Sequence, residues 1–446
     1  MTGLRFAAPD YDRLARALLA DEQETCAVLF TRRGGSESAW IVAGWVLAPA
    51  AAYSHRDTIS VSLKPSYLVD LSNRARKEKL GVVLVHTHPH ASGSPRFSPV
   101  DDEGERPLAE YFHRRAPGAH HLALVIGPEG CRARRLGTAQ EIPVWEVGSC
   151  ARALFHPEVP EISSQAHDRQ VRAFGARGQA IISRITVGII GLGGTGSVAA
   201  QQLAHLGVQR FVVIDPDVVD VTNLNRLVGA AHSDVGHAKV EVAARQIRKI
   251  NPAAEVVALA ADIVDEETVP RLFGTDFLFL CTDSHASRAV VGQLAYQFLI
   301  PCIDMGVSIT VRENAISHVT GRVQMLAPSL PCLVCTEALD GEQIRRELLT
   351  PEQRAADPYV QGIHEPQPAV ISLNSTVASL ALTMFLSALT PVPGAARLQF
   401  YDGVKGTVRP ATASRVPSCV VCSTLGASGK GTDWPLPVRP HGARHG

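Results

Sequence analysis

Three groups of residues have the types and spacing for chemistry. Gly191, Gly193 and Gly196 form G-x-G-x-x-G, a pattern that lets backbone N–H groups and a helix N-terminus approach phosphate oxygens closely. About twenty residues on, Asp215 ends an apolar run, where a carboxylate can accept ribose hydroxyl hydrogens. The loop has no Walker lysine, so these residues alone suit a nicotinamide enzyme at least as well as an ATP enzyme. The pairs Cys332-x-x-Cys335 and Cys419-x-x-Cys422 each have the spacing of half a tetrahedral four-thiolate zinc site. The run HTHPHASGSPRFSPVDD supplies His86, His88, Ser98 and Asp101. Two histidines one residue apart at a strand end point the same way, and with a carboxylate they can hold zinc while leaving a fourth position to water.

The elements that carry these groups can be read from periodicity. Residues 81–86 (GVVLVH) read as a buried strand running into the His-rich loop, beside strands at 26–33, 38–48, 121–126, 132–136 and 142–147 and a polar helix at 66–78. This is a mixed α/β unit over residues 1–150. The stretch 151–166, with Pro157 and Pro160, breaks every periodicity and reads as a linker. From residue 184 the pattern is strand (RITVGIIG), glycine turn, helix (SVAAQQLAHLG), strand (RFVVID). A helix at 237–250, strands at 255–260 and 276–281 and a helix at 285–298 follow, which predicts a Rossmann-like, doubly wound parallel sheet. The Gly- and Pro-rich residues 426–446 read as a disordered tail.

The 446 residues exceed one ordinary core and predict two domains. Lys and Arg total 43, Asp and Glu 43, so no net field favours nucleic acid or an anionic membrane. The most apolar stretch, 369–389, carries Ser372, Asn374, Ser375, Thr376, Ser379 and Thr383 and reads as a buried helix, not a membrane span. Nine cysteines, four of them in C-x-x-C pairs, behind an N-terminus without signal-peptide order, point to metal binding in the cytoplasm. Cys281 and Cys302 end apolar runs and read as core residues.

Around the glycine loop, DPDVVDVTNLNR (215–226) and GHAKVE (236–241) add Asn223, Arg226 and Lys239, which a dehydrogenase does not require. With them the sequence resembles the ThiF/MoeB/HesA adenylyltransferases, the family that includes the adenylation domains of ubiquitin-activating enzymes, over residues 167–425. The resemblance implies that ATP and magnesium bind through Gly191, Gly193, Gly194, Gly196, Asp215, Asp217, Asn223, Arg226, Lys239 and Asp283. Asp215 would take the ribose, Arg226 and Lys239 the phosphates, and Asp283 the magnesium. It also implies a homodimer in which Arg169, in HDRQVRAFGARGQ (167–179), reaches the partner's site, and a structural zinc held by the four cysteines. Relatives that form a protein thioester carry a cysteine between the two pairs, whereas residues 336–418 contain none. The implied product is therefore an acyl adenylate, handed to a sulfur donor or conjugating enzyme.

The His-rich loop resembles the JAB/JAMM (Mov34/MPN) metallopeptidases, with likeness over about residues 8–148. That resemblance implies zinc on His86, His88 and Asp101, an oxyanion donor in Ser98, and a general base at Glu24, with Glu22 as the rival. His90 is spare and expected to face solvent. Nine residues separate His88 from Ser98, where the common pattern has seven. Joined, the halves imply a peptidase that trims or releases a ubiquitin-like or sulfur-carrier protein, and a domain that adenylates its C-terminal carboxylate. The rivals are an NAD-dependent oxidoreductase, a non-cutting scaffold that binds ubiquitin-like proteins, and an adenylyltransferase for a small molecule, a peptide or a tRNA base.

Overall fold

A computed structural model of the chain describes residues 2–157, 165–313, 315–350, 353 and 368–439. These divide into two compact units: 2–157 with 429–434, and 165–428 with 435–439.

The first unit is built on a nine-stranded sheet. In chain order its elements are β1 (Gly3–Ala7), α1 (Asp10–Leu18), β2 (Cys26–Arg33), β3 (Ala39–Leu47), a hairpin of β4 (Tyr53–Arg56) and β5 (Val61–Leu63), α2 (Pro65–Glu78), β6 (Gly81–Thr87), α3 (Pro99–Arg115), β7 (Leu122–Gly127), β8 (Gly130–Arg135), β9 (Glu141–Ile142), β10 (Val144–Val147) and β11 (Ala151–Phe155). The sheet order is β11-β10-β1-β3-β2-β6-β7-β8-β9. Strand alternation sends successive side chains to opposite faces. Ala27 and Leu29 of β2 join Tyr11, Leu14 and Leu18 of α1 on one face. Val28 and Phe30 meet Leu71 and Ala75 of α2 and Phe112 of α3 on the other.

Two boundaries differ from the sequence reading. Residues 151–155, expected to begin the linker, pair as β11 with β10, because Leu154 and Phe155 have a core face to join. Of the rest of the expected linker, residues 158–164 lie outside the described residues. The expected disordered tail is packed over its described part. Gly431 φ is +54°, a Cβ there would overlap the Arg33 carbonyl, and Asp433 pairs with Arg32 at 3.0 Å.

The second unit runs α4 (Asp168–Arg184), β12 (Thr186–Ile190), α5 (Gly194–His205), β13 (Arg210–Ile214), α6 (Lys239–Ile250), β14 (Glu255–Leu259), β15 (Phe277–Leu280), α7 (His285–Gln297), β16 (Cys302–Arg312), β17 (Ala315–Leu326), α8 (Gly341–Leu348), α9 (Ile371–Leu389), β18 (Leu398–Asp402) and β19 (Thr407–Pro410). Its sheet order is β14-β13-β12-β15-β16-β17-β18-β19. The first five strands are parallel, and the order reverses on either side of β12. The last three are antiparallel and extend the expected doubly wound parallel part. The long β16–β17 hairpin carries polar residues at many positions and lacked a clear strand signal. Helix α9 is long and apolar enough to cross a membrane, but here Val377, Ala381 and Phe385 are buried, with Phe385 edge-on to Phe277 at 4.9 Å.

Candidate functional site

In an open α/β sheet the crevice for a ligand lies beyond the carboxyl ends of the strands where their order reverses. Here that point is the end of β12, where the glycine turn sits. Gly191 has φ +86° and donates to the Ile214 carbonyl at 2.9 Å. A Cβ at Gly191 would meet the Cys281 backbone, and one at Gly196 would overlap the Gly191 carbonyl. The first glycine supplies the left-handed turn and the third lets α5 start against it, with Gly193 as the N-cap and Gly194 as the first helical residue. Gly194 packs on the buried side chain of Asn374 from α9.

Asp215 directly follows β13 and is 5 % exposed. Its carboxylate accepts from the Leu192 amide at 2.6 Å and the Asp217 amide at 2.9 Å. Burial raises its carboxyl above the ordinary value, opposed by the Lys239 charge and these two amides. Lys239, the first residue of α6, pairs with Asp217 at 2.7 Å; its side chain is 11 % exposed, whereas that of Asp217 is 63 % exposed. Asn223 accepts from the Asp220 amide at 3.2 Å. Arg226 is half-buried and donates to the Thr222 carbonyl at 2.7 Å and to Asn225 at 3.2 Å. The segment is tied to α5 by the Val228 amide, which donates to Ser197 Oγ at 3.1 Å. Asp283 is exposed in the turn between β15 and α7, two residues beyond the Cys281 that floors the glycine turn. Cys281 is thus half-buried at the site, whereas Cys302 is fully buried in the core. The structure thus joins the glycine turn, Asp215, Asp217 and Lys239 through direct contacts, ties the segment after Asn223 and Arg226 to α5, and sets Asp283 two residues from Cys281; Arg169 stands apart. That side chain is exposed in the first turn of α4, and among the described residues no hydrogen bond joins it to the others.

The four cysteines converge. Cys332 Sγ lies 3.7 Å from Cys335 Sγ and 3.5 Å from Cys419 Sγ, and Cys335 Sγ lies 3.5 Å from Cys422 Sγ. A tetrahedron with zinc–sulfur bonds of about 2.3 Å has edges of about 3.8 Å, so the donor set and spacing fit that ion. The Val416 amide donates to Cys335 Sγ at 3.3 Å, the kind of outer contact that orients a thiolate ligand.

In the first unit, β6 delivers His86 and the residue after its end delivers His88, while Asp101 comes from the first turn of α3. His86 Nε2 is 3.2 Å from His88 Nε2 and 3.1 Å from Asp101 Oδ1, and His88 Nε2 is 3.8 Å from Asp101 Oδ2. Two imidazole nitrogens that face each other either share a proton or address one cation, and zinc with bonds of about 2.0–2.1 Å needs edges of about 3.3–3.4 Å. The three side chains fit. Burial, and then the charge of His86, hold His88 below the ordinary histidine value, which favours the neutral form that ligates. For Asp101, burial is the largest effect and acts upward, but hydrogen bonds and charge from His86 with the Ser98 donors outweigh it and depress the carboxyl.

Glu24 is 5 % exposed and its Oε1 lies 3.6 Å from His88 Nε2. Burial, opposed chiefly by His86, pushes it up to about 7. Glu22 is exposed, as is His90. Ser98 is the N-cap of α3: its hydroxyl donates to Asp101 Oδ2 at 2.8 Å and accepts from the Asp101 amide at 3.2 Å. The hydroxyl expected to serve an oxyanion is therefore spent on the helix and on Asp101. A cavity of about 380 Å³ beside the cluster is lined by Glu24, Ile59, Val61, Leu63, Leu68 and Val100 among others.

Sequence reasoning missed the residues that brace these groups. Asp304, fully buried, accepts from Arg288 at 3.1 Å and Arg322 at 2.5 Å. Glu347 accepts from Ser284 Oγ at 2.6 Å and the Ala286 amide at 2.7 Å. The Ser284 N-cap was readable in TDSHAS, but the Glu347 contact spans sixty residues with no local signal.

A glycine turn at the reversal point of a five-strand parallel sheet, with a buried carboxylate on the next strand, defines a nucleotide-binding α/β domain. The chain belongs to the ThiF family, which it matches over residues 167–421; the match leaves the N-terminal unit outside. Over 118 residues it is 40 % identical to a tRNA threonylcarbamoyladenosine dehydratase of Bacillus subtilis, covering 26 % of this chain and 46 % of that protein. It is 27 % identical to a molybdopterin-synthase adenylyltransferase of Salmonella typhimurium, over 59 % of this chain and 98 % of the relative. It is 28 % identical to a sulfur carrier protein adenylyltransferase of Thermus thermophilus, over 56 % and 86 % respectively.

Proposed function

We propose that residues 167–425 use ATP to adenylate the C-terminal carboxylate of a sulfur-carrier or ubiquitin-like protein. We propose also that residues 1–150 form a JAB/JAMM-type zinc peptidase acting on the same class of protein. The observation that supports the first reading is the glycine turn at the sheet's reversal point with the buried Asp215 beside it and Lys239 paired to Asp217. The names of the two adenylyltransferase relatives support it.

In adenylation a carboxylate oxygen of the carrier attacks the α-phosphorus of ATP, the bond to the β-phosphate bridging oxygen breaks, and pyrophosphate leaves. The amides of the glycine turn and the α5 N-terminus present donors to phosphate oxygens, and the fixed carboxylate of Asp215 suits the ribose hydroxyls. Lys239 and Arg226 supply positive charge where phosphate charge moves, which is where preorganised groups act most strongly. A magnesium ion on Asp283 would add charge neutralisation at the phosphates. Arg169 completes this site in a partner copy, so the working form is a homodimer, and a sulfur donor or conjugating enzyme consumes the adenylate. A cytoplasmic setting, where thiols stay reduced, would suit the four cysteines assigned to zinc.

For the peptidase, a zinc ion on His86, His88 and Asp101 would supply Lewis-acid polarisation of the scissile carbonyl. Glu24 is in reach to take the proton of the attacking water and deliver it to the leaving amine, and its raised carboxyl suits both tasks near neutral pH. Ile59, Val61 and Leu63 give the adjacent cavity an apolar wall for the extended tail of a carrier protein.

One observation favours a second reading. The 40 % identity to the tRNA-modifying dehydratase is higher than that to either full-length adenylyltransferase, which would fit activation of a small carboxylate on tRNA. Incubating the protein with ATP and either Gly-Gly-ended small proteins or tRNA, with mass spectrometry for adenylate and trimmed product, separates the two. If no protein partner is adenylated and tRNA is modified, the first reading fails.

A further inference from the structure

The turn bearing Asp283 is braced from outside the nucleotide domain's own sheet. Ser284 Oγ donates to Glu347 Oε2 at 2.6 Å and the Ala286 amide donates to the same oxygen at 2.7 Å. The Ser284 amide donates to Thr282 Oγ1 at 3.1 Å. The backbone after Asp283 is thus pinned at Ser284 and Ala286, and one of the pins is a carboxylate carried by α8. Anions at a helix N-terminus are favourable, so Glu347 holds α8 to the start of α7. At the other end of α8, the Asp340 amide donates to His285 Nδ1 at 3.0 Å.

What holds Glu347 comes from the C-terminal segment. Arg439 donates through Nη2 to the Glu347 carbonyl at 2.8 Å and through Nε to the Leu348 carbonyl at 3.4 Å. These are carbonyls of the last turn of α8, which lack partners within the helix. The same guanidinium pairs with Asp265 at 2.9 Å and Asp262 at 3.6 Å. Its backbone is fixed in turn: the Arg439 amide donates to the Val264 carbonyl at 2.7 Å, and the Glu266 amide donates to the Arg439 carbonyl at 3.2 Å. The side chain is 17 % exposed. Asp262 and Asp265 follow β14, on the same carboxyl side of the sheet as the glycine turn. One arginine therefore spans from the β14 loop to α8, and α8 spans to the turn that carries Asp283.

We propose that Arg439 is a positioning residue for the nucleotide site, acting through the α8 terminus and Glu347 to fix the carboxylate of Asp283. This rests on the adenylation reading, in which Asp283 takes the magnesium. The residues expected to trail away as a disordered tail then form a working part of the activation site. Arginine is suited to the role because its planar fork meets two carbonyls and two carboxylates at once, which a lysine ammonium cannot do.

The test uses the full chain with Arg439→Ala, Arg439→Lys, Glu347→Ala and the double variant Arg439→Ala/Glu347→Ala. Two readouts are taken: hydrogen exchange of the amides at 281–290, and the magnesium dependence of ATP–pyrophosphate exchange. Loss of an outer partner of a metal ligand lowers metal affinity about 10–100-fold. Because Arg439 reaches Asp283 only through α8, Glu347 and Ser284, Arg439→Ala is expected to raise the half-saturating magnesium concentration measurably but by less than that factor, to leave the KM for ATP at saturating magnesium nearly unchanged, and to speed exchange at 281–290. Arg439→Lys is expected to recover part of both effects, and the double variant to be no worse than Glu347→Ala alone. A merely stabilising arginine would lower the melting temperature without moving the magnesium requirement. Wild-type exchange protection at 281–290 and a wild-type magnesium requirement in folded Arg439→Ala would overturn the proposal. If the wild-type protein shows no pyrophosphate exchange, the adenylation reading fails, and the amide protection still decides whether Arg439 holds the turn.

Discussion

Substituting Gly196 by alanine tests the glycine turn at its tightest point. Gly196 lies inside α5, where alanine ordinarily favours the helix by about 0.8–1 kcal/mol. Against that, the new Cβ would overlap the Gly191 carbonyl and crowd the Cys281 side chain. The Gly191 carbonyl is poorly placed to yield, since its residue is held at φ +86° and bonded to Ile214. Overpacking of this kind costs about 1–3 kcal/mol, more when the clash is with fixed backbone. The net expectation is a loss of about 1–2 kcal/mol. For a unit of this size that is a fall of about 2–8 °C in its own melting transition. The loop can only relieve the overlap by moving the amides meant for phosphate, and a misplacement near 1 Å costs about 100-fold in rate. Calorimetry and ATP–pyrophosphate exchange read the two effects. Gly104→Ala is the internal control, because Gly104 sits exposed inside α3 and its Cβ would meet nothing within 4 Å; it should stabilise the first unit by about 0.8–1 kcal/mol. A Gly196→Ala protein that melts at or above wild type and exchanges pyrophosphate at the wild-type rate would refute the steric argument.

Glu24→Gln should abolish cleavage of a ubiquitin-like fusion, by about 100- to 10,000-fold, without reducing zinc bound in the first unit; retained cleavage would remove Glu24 from the mechanism. Cys422→Ser should lower the zinc content of the second unit and its melting temperature together, as measured by elemental analysis and calorimetry, whereas unchanged metal content would mean the four thiols hold no ion. Arg169→Ala and Lys239→Ala should each be inactive in pyrophosphate exchange, and mixing the two should restore activity, since one mixed site regains both groups; no recovery on mixing, with dimers present, would argue against an arginine supplied by the partner.

The strands and helices around the glycine turn were legible because a buried parallel strand reads as an unbroken apolar run and the turn punctuates it with glycine. The metal-type clusters were legible for a related reason: each rests on short local spacings, His86-x-His88 or C-x-x-C, that the chain closes by folding once. Two strands of the first unit were not. β1, an interior strand between β10 and β3, is with Gly3 and Arg5 too short and mixed to stand out, and the edge strand β11 was hidden by the prolines that follow it. Charge-bearing contacts over long separations were invisible in principle: nothing near Asp304 announces Arg322, and nothing near Ser284 announces Glu347. Ser98 shows a different limit. Its residue type suited both an oxyanion donor and a helix cap, and only the folded geometry gives its hydroxyl to Asp101.

The residues that pack with the first unit from the far end of the chain also set an order of events during synthesis. Arg32 leaves the ribosome early, but Asp433, its ionic partner, emerges only after residues 165–428 of the ThiF unit have been made. At roughly 5–20 residues per second, that interval lasts some tens of seconds. The domain translated first is therefore still incomplete while most of the second is being made, and its strand β2 waits for residues 429–434.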